Sequence, residues 1–276
     1  MSTDLAEPAL VRLDAADEVA QSRRVGGGEV AVLSRRSPDK DGRNEDAALA
    51  LGLDEDRLLL AVADGCGGMP AGDEAARRAL EALLATLRER EGEDLAGAVL
   101  AGFDAANRAV LDMRAGAGTT LVAVVVVEGE ARAFHVGDSV ALVVGQRGAV
   151  RFRSTPHSPT GFGLEAGLLS ESEAIAHEDR NLVLNVVGSP AMSVEVGPPV
   201  PLRARDTVLL ASDGLADNLQ AAEIVEAVRT GACADAAERL ADAAGRRMHE
   251  AAGHPDDCTV LVYRPVAHRR ATGPGG

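Results

Sequence analysis

Three aspartates stand at the ends of apolar runs. Asp64 closes LLLAVADGCGG, Asp213 closes TVLLASDGLADNL, and Asp256 precedes the last apolar run in HPDDCTVLVYR. Aspartate is a poor strand former, so one placed where a buried strand emerges presents its carboxylate at a sheet edge. Gly65, Gly67 and Gly68 let the backbone come close to an ion or a phosphate. No Gly-Lys-Ser/Thr follows them, which excludes a phosphate-cradling P-loop. Taken alone, Asp64-Gly65 also reads as a strand-to-helix turn with a helix cap. Asp213-Gly214 repeats the design, and two such strand ends are harder to read as turns. Asp256 and Asp257 are adjacent and repel each other; a cation is a natural reason for them, a solvated turn the plainer one. Glu45 and Asp46 open a further apolar run behind a basic loop containing Lys40 and Arg43. Gly137-Asp138-Ser139 lies between two apolar runs, where a tight hairpin turn accounts for it well.

Carboxylates thus stand at five strand ends, with no His/Cys cluster beside them. Oxygen-only ligands select hard cations such as Mg²⁺ or Mn²⁺ over zinc. A pair of such ions about 3.5–4 Å apart can polarise a bridging water and clamp the oxygens of an in-line displacement. The Lys40/Arg43 loop beside Glu45 could bind the phosphate. The chemistry implied is hydrolysis of a phosphate ester at a divalent-metal site built from Asp64, Asp213 and Asp256.

The elements that must position these residues alternate in blocks. Residues 1–27 read as an N-terminal extension, 28–266 as one domain, and 267–276 as a disordered tail. Glu29–Ser34 is a short strand, and Asp46–Leu53 and Arg57–Asp64 form two apolar runs around a turn. Helical spacing of leucine and valine predicts helices over about 71–90 and 94–113. Four short strands with tight turns follow, at Thr119–Val127, Ala131–Val136, Val140–Val144 and Val150–Arg153, which means antiparallel pairing. The stretch 155–181 is polar, with a helix expected at Ser170–Ala176. Strands are expected at Val183–Val187, Met192–Val196 and Thr207–Ala211, helices near Ala221–Arg229 and Ala234–Ala252, and a last strand at Thr259–Arg264. Runs of strands with segregated helices read as α+β: two antiparallel sheets with a helix pair on each outer face.

Composition narrows the classes further. The chain has 276 residues, 46% of them apolar, with four Phe, one Tyr and no Trp, so Ala, Val and Leu supply the packing. The net charge of −15 argues against nucleic acid and against anionic lipid, and suits divalent cations; solubility alone is the plainer reason for it. Cys66, Cys233 and Cys258 have no CxxC spacing, so neither a disulfide framework nor a thiolate zinc site is expected. The N-terminus does not read as a signal peptide, and no apolar run is long enough to span a bilayer. The expectation is a soluble, monomeric, cytoplasmic protein.

RNEDA, ADGCGG, AGTTLVAVVV, HVGDSVALVV, LLASDGLADNL and PDDCTVLV occur in that order. Together they resemble the protein phosphatase 2C family, the metal-dependent serine/threonine phosphatases, in its bacterial form. The resemblance implies a four-layer α-β-β-α sandwich and two Mn²⁺ or Mg²⁺ ions with a third, weaker one. It implies that Asp64 bridges two metals, that the Gly65 carbonyl and Glu45 complete one of them, and that Asp213 and Asp256 hold the other. Asp138 with Asp213 would hold the third, Asp46 would orient the attacking water, and 155–181 would be a mobile flap. The implied partner is a phosphoprotein, the target of a Ser/Thr kinase.

Three departures accompany the resemblance. The family's phosphate-binding arginine position is Asp41 here, leaving Lys40 and Arg43 as alternatives; lysine would bind without the bidentate fork. Cys66 stands where animal relatives place a histidine acid, and is either a small filler or an oxidation-sensitive thiol. Asp257 stands where many relatives have Asn, and Val140 where many have Arg. His135 reads as a packed strand residue and His254 as a second support for Asp256. A catalytically impaired binding or sensing module on the same fold, or a phosphatase acting on an anti-sigma-factor antagonist, are the competing readings. The presence of Glu45, Asp64, Asp213 and Asp256 weighs against the first, and the full flap-like segment against the second.

Overall fold

The computed structural model describes residues 10–40 and 42–266. Asp41, residues 1–9 and the tail 267–276 lie outside the described residues. The chain forms thirteen strands and seven helices among those described, in two antiparallel sheets. The first sheet has the order β1 (Leu10–Leu13), β4 (Asp46–Gly52), β5 (Arg57–Asp64), β6 (Leu121–Val127), β7 (Glu130–Val136) and β10 (Glu195–Val196), with β11 (Val200–Pro201) also on β7. The second runs β2 (Gln21–Val25), β3 (Gly28–Arg35), β13 (Cys258–Pro265), β12 (Thr207–Ala211), β8 (Val140–Val144) and β9 (Val150–Arg153).

Strands that are apolar on both faces build the layers. Successive side chains of a strand point to opposite faces. Along β5, Leu58, Leu60 and Val62 therefore enter the core between the sheets, while Leu59, Ala61 and Ala63 face α1 (Gly72–Glu89) and α2 (Leu95–Leu111). In the second sheet Val30 and Val32 of β3 point to the central core. Ala31 and Leu33 pack under α6 (Ala221–Val228) and α7 (Cys233–Met248). Three cores separate four layers, the α-β-β-α sandwich that the block order of the sequence implies. With so few aromatics, Phe103, Phe134 and Tyr263 are the largest fully buried side chains, and alanine and valine fill the rest.

Three details differ from the sequence expectations. Residues 10–25, read as part of an extension, supply an edge strand to each sheet, β1 on β4 and β2 on β3. Val183–Val187 and Met192–Val196 do not form two strands: Val187 makes a bridge with Thr119, and only Glu195–Val196 pairs with β7. Leu182, Val183 and Val186 line a cavity instead, Leu182 and Leu184 are half exposed, and Met192 and Val194 pack against the core under α1 and α2. A helix not expected, α3 (Pro159–Glu165), begins with Ser158 capping the Gly161 amide and proline at its first turn. The expected helix at 170–176 forms as α4 (Glu171–Ile175), closed by a Ser170/Glu173 capping box.

Candidate active site

Register brings the acidic strand ends together. On adjacent antiparallel strands Asp46 and Asp64 sit directly opposite each other, so both carboxylates arrive at one edge of the first sheet. Asp213 follows β12 and Asp256 precedes β13; these strands pair antiparallel, so both aspartates reach the same edge of the second sheet. Asp138 lies in the link from β7 of one sheet to β8 of the other. Asp64, Asp138, Asp213 and Asp256 line one cavity of about 280 Å³, with Gly65, Cys66, Thr120, Asn181 at the end of the expected flap, and Leu182, Val183 and Val186 just after it. Asp64 is not a helix cap: α1 starts at Gly72, after Ala71 in the left-handed region. Asp213 is the first residue of the short helix α5 (Asp213–Ala216).

The backbone around Asp64 is fixed on both sides. Its N–H donates to Thr120 Oγ1 at 3.1 Å, and its carbonyl accepts from the Thr120 N–H at 2.7 Å and the Thr119 hydroxyl at 2.8 Å. The Gly65 N–H donates to the Glu45 carbonyl at 3.1 Å. Two glycines make room here. A Cβ on Gly65 would fall 2.4 Å from the Gly72 carbonyl, and one on Gly72 would fall 2.8 Å from Glu45 Oε1. The start of α1 therefore packs on the Asp64-Gly65 turn with the Glu45 carboxylate against it.

A buried polar relay supports Asp46. Its Oδ2 accepts from the Ser212 hydroxyl at 2.7 Å, whose oxygen accepts from the Thr259 N–H. Asn44 Oδ1 accepts the Asp46 N–H, and Asn44 Nδ2 donates to Ser34, whose hydroxyl meets that of Thr259. Thr119, Thr120, Ser212, Thr259 and Asn44 were not singled out from sequence. Their signal is position: each is a polar residue at or beside the end of an otherwise apolar strand.

Burial dominates the titration of the cluster, and mutual repulsion adds to it. Asp46 is pushed up to about 8, Asp213 and Asp256 to about 7, and Asp138 to about 6. Asp64, facing the charges of Asp213, Asp46, Asp256 and Asp138, is raised well above the usual carboxylate range. Asp46 Oδ1 and Asp138 Oδ1 are buried with no hydrogen-bond partner. A buried oxygen of this kind is costly unless something cationic meets it. Oxygen donors alone, crowded and buried, fit hard divalent ions. The carboxylates are not drawn tightly around one point. Among the described residues, the potential ligand atoms that lie within 4.8 Å of one another belong instead to His135, His157 and Glu195. That trio is a brace as it stands. His157 Nδ1 accepts from the Gly137 N–H, which leaves its proton on Nε2, facing Glu195 at 3.3 Å. His135 stacks on His157 and bonds the Thr155 carbonyl through Nε2, as a packed strand residue.

The basic loop does not reach into the cavity. Lys40 Nζ lies between Glu45 Oε2 and Asp257 Oδ2, and its pKa is raised by those two carboxylates against the effect of burial. Asp257 is nearly fully buried and also accepts the Ser37 and Glu45 N–H groups, each at 2.7 Å. The extra charge at this position is thus matched by Lys40. Arg43 points outward, 73% exposed, near Asp14 and Asp73. Cys66 lines the cavity, and burial with the nearby Asp138 and Asp213 charges pushes its thiol up to about 12, so it stays protonated and inert. His254 bonds the Ile175 carbonyl at 3.0 Å, tying the end of α4 to the loop before Asp256, and does not contact that aspartate's carboxylate.

A family model described as Protein phosphatase 2C matches residues 36–248. The serine/threonine protein phosphatase PstP of Mycobacterium tuberculosis is 31% identical over 213 residues, which cover 74% of this chain and 40% of PstP. The chain thus spans well under half of that relative's length. The serine/threonine phosphatase Stp of Listeria monocytogenes is 29% identical over 199 residues, 68% of this chain and 78% of that one. The solved catalytic domain of PstP in complex with two manganese ions superposes with a TM-score of 0.71 at 27% identity, covering 86% of this chain and 98% of that one. A Streptococcus agalactiae serine/threonine phosphatase gives 0.75 at 26% identity, covering 87% and 100%.

Proposed function

The chain belongs to the protein phosphatase 2C family, and from that premise we propose that it hydrolyses phosphoserine and phosphothreonine on proteins with the help of Mn²⁺ or Mg²⁺. The observation that carries the proposal is the convergence of Asp64, Asp138, Asp213 and Asp256, from both sheets, on one cavity. By position in the family pattern, Asp64, the Gly65 carbonyl, Glu45, Asp213 and Asp256 would hold two ions, and Asp138 with Asp213 would hold a weaker third. Ions bound there would supply an acidified water as nucleophile and charge neutralisation for the phosphoryl oxygens.

The chain's own residues do the rest. Asp46 Oδ2 is held by Ser212, which leaves Oδ1 to orient the attacking water and take its proton. The Thr119 and Thr120 clamps keep Asp64 from moving as charge builds on the phosphate. Lys40 neutralises Glu45 and Asp257, and Arg43 is the other basic residue of the loop. Cys66 is a protonated filler, so protonation of the leaving alkoxide falls to water.

The proposed setting is the cytoplasm, opposite a Ser/Thr kinase; among the described residues no helix is long and apolar enough to cross a membrane. The test is phosphate release from phosphothreonine, phosphoserine and phosphotyrosine peptides in Mn²⁺. Release from the first two is expected. Binding of all three without turnover would favour a catalytically impaired module instead.

A further inference from the structure

Beside the cavity, in two recesses that share Asp138, Asp213 and Asp256 with it, stands an arginine that forms no ion pair among the described residues. Arg180 follows α4, in the segment that leads to the cavity-lining Asn181, Leu182 and Val183. Its Nη1 makes one long hydrogen bond, 3.3 Å to the His177 carbonyl, and its Nε is buried with no partner. It lines one recess with Asp213, Asp217, Asp256 and His254, and a second with Asp138, Asp213, Asp217, Ser158 and Thr160. Among the described residues it forms no ion pair, although carboxylates line both recesses beside it. Arg43, Arg77, Arg153 and Arg229 are all paired.

A guanidinium carries five donors in a fixed fork and suits phosphate oxygens two at a time. Leaving a buried N–H unmade costs free energy, so a water or a ligand oxygen is needed to meet it. Lys40 is bound to two carboxylates and Arg43 points outward, and neither lines the cavity or the two recesses; Arg180 lines both recesses, which share Asp138, Asp213 and Asp256 with the cavity. We propose that Arg180 is the residue that binds the phosphoryl oxygens of the substrate, doing from the flap side what neither Lys40 nor Arg43 is placed to do. The inference rests on the phosphatase reading above. The ligand it takes is a phosphate monoester dianion.

The plainer role for Arg180 is to offset the charge of Asp217, whose carboxyl it draws down against burial and the neighbouring aspartates. One set of variants separates the two. Wild type, Arg180→Ala, Arg180→Lys and Arg180→Ala/Asp217→Asn are compared as full chains in Mn²⁺. The readouts are kcat and KM for p-nitrophenyl phosphate, calorimetric affinity for inorganic phosphate, and calorimetric affinity for Mn²⁺. Arg180→Ala is expected to raise KM and weaken phosphate binding about 10- to 100-fold, the loss of hydrogen bonds to a charged group. Mn²⁺ affinity should stay within about threefold, because Arg180 is no ligand. Arg180→Lys should recover part of the loss, and the double variant none of it. Unchanged KM and phosphate affinity in Arg180→Ala would overturn the proposal, as would their recovery on adding Asp217→Asn. Phosphate affinity is read even if no hydrolysis is seen. Wild type that binds phosphate through Arg180 but hydrolyses nothing would sink the phosphatase reading and keep this one.

Discussion

Replacing Asp257 by asparagine should cost about 3 kcal/mol of stability. In the native protein its carboxylate accepts three bonds: from the Ser37 N–H at 2.7 Å, the Glu45 N–H at 2.7 Å and Lys40 Nζ at 2.9 Å. All three donors sit between positions 37 and 45, so one side chain clips that loop to the start of β13. An asparagine has one acceptor oxygen. Its better orientation keeps that oxygen on Glu45 and Lys40 and turns its NH₂ against the Ser37 N–H. One buried bond to a charged group is lost, about 1.5–3 kcal/mol, and the other two weaken as the acceptor loses its charge. The Lys40 contact adds little, being part-exposed. At about 2–4 °C per kcal/mol for a domain of this size, the metal-free protein should melt about 6–12 °C lower. The Ser37 amide should also lose hydrogen-exchange protection, and Lys40→Met should cost less in the asparagine background than alone. Melting within about 2 °C of wild type, with Ser37 still protected, would refute the clip.

Three other perturbations test the same site. The metal-free protein should gain stability as pH falls from 8 to about 5, because the folded Asp46, Asp213, Asp256 and Asp138 hold protons that the unfolded chain, with carboxyls near 3.9, releases; a melting temperature that rises with pH in chelator would contradict the burial of these groups. Glu74, held down to about 2 by Arg77 and Arg78, works in the opposite direction but only below about pH 4.5, outside that window. Gly72→Ala should push Glu45 aside and weaken Mn²⁺ binding about tenfold or more, and calorimetry that finds it unchanged would show that the 2.8 Å approach to Glu45 is not needed. Asp64→Asn should raise the melting temperature in chelator, since it removes the most crowded carboxylate of the cluster; a lower one would mean that Asp64 holds the fold together and is not there for a ligand.

Much of this was legible in the sequence, and the reasons differ by residue. Asp46, Asp64, Asp213 and Asp256 could be read because an acid at the end of an apolar run has few structural uses. The blocks of strands and helices gave the layers because β5 and β13 are apolar on both faces, which only a sheet covered on both sides explains. What the sequence hid was pairing across distance. Lys40 stands beside Glu45 and suggested a phosphate contact, but its partner Asp257 lies 217 positions away. The edge strands β1 and β2 were hidden because QSRRV and LVRL carry exposed charges and gain strand geometry only from β3 and β4. The Val183–Val187 run looked like a strand by residue type, yet only Val187 makes a bridge, while Val183 and Val186 line the cavity. Arg180 carried no signal in a polar stretch; its meaning comes from which carboxylates it stands among.

The central claim, that the converging carboxylates hold metal ions for phosphate-ester hydrolysis, is tested most directly by p-nitrophenyl phosphate turnover against Mn²⁺ concentration in wild type and Asp64→Asn, with melting temperature read in parallel. Turnover in wild type should rise from nothing in chelator and saturate with Mn²⁺, and the same titration should raise the melting temperature. Asp64→Asn should stay folded, fail to turn over, and lose the Mn²⁺-dependent rise. Wild-type turnover in excess chelator, or full activity of Asp64→Asn, would contradict the account.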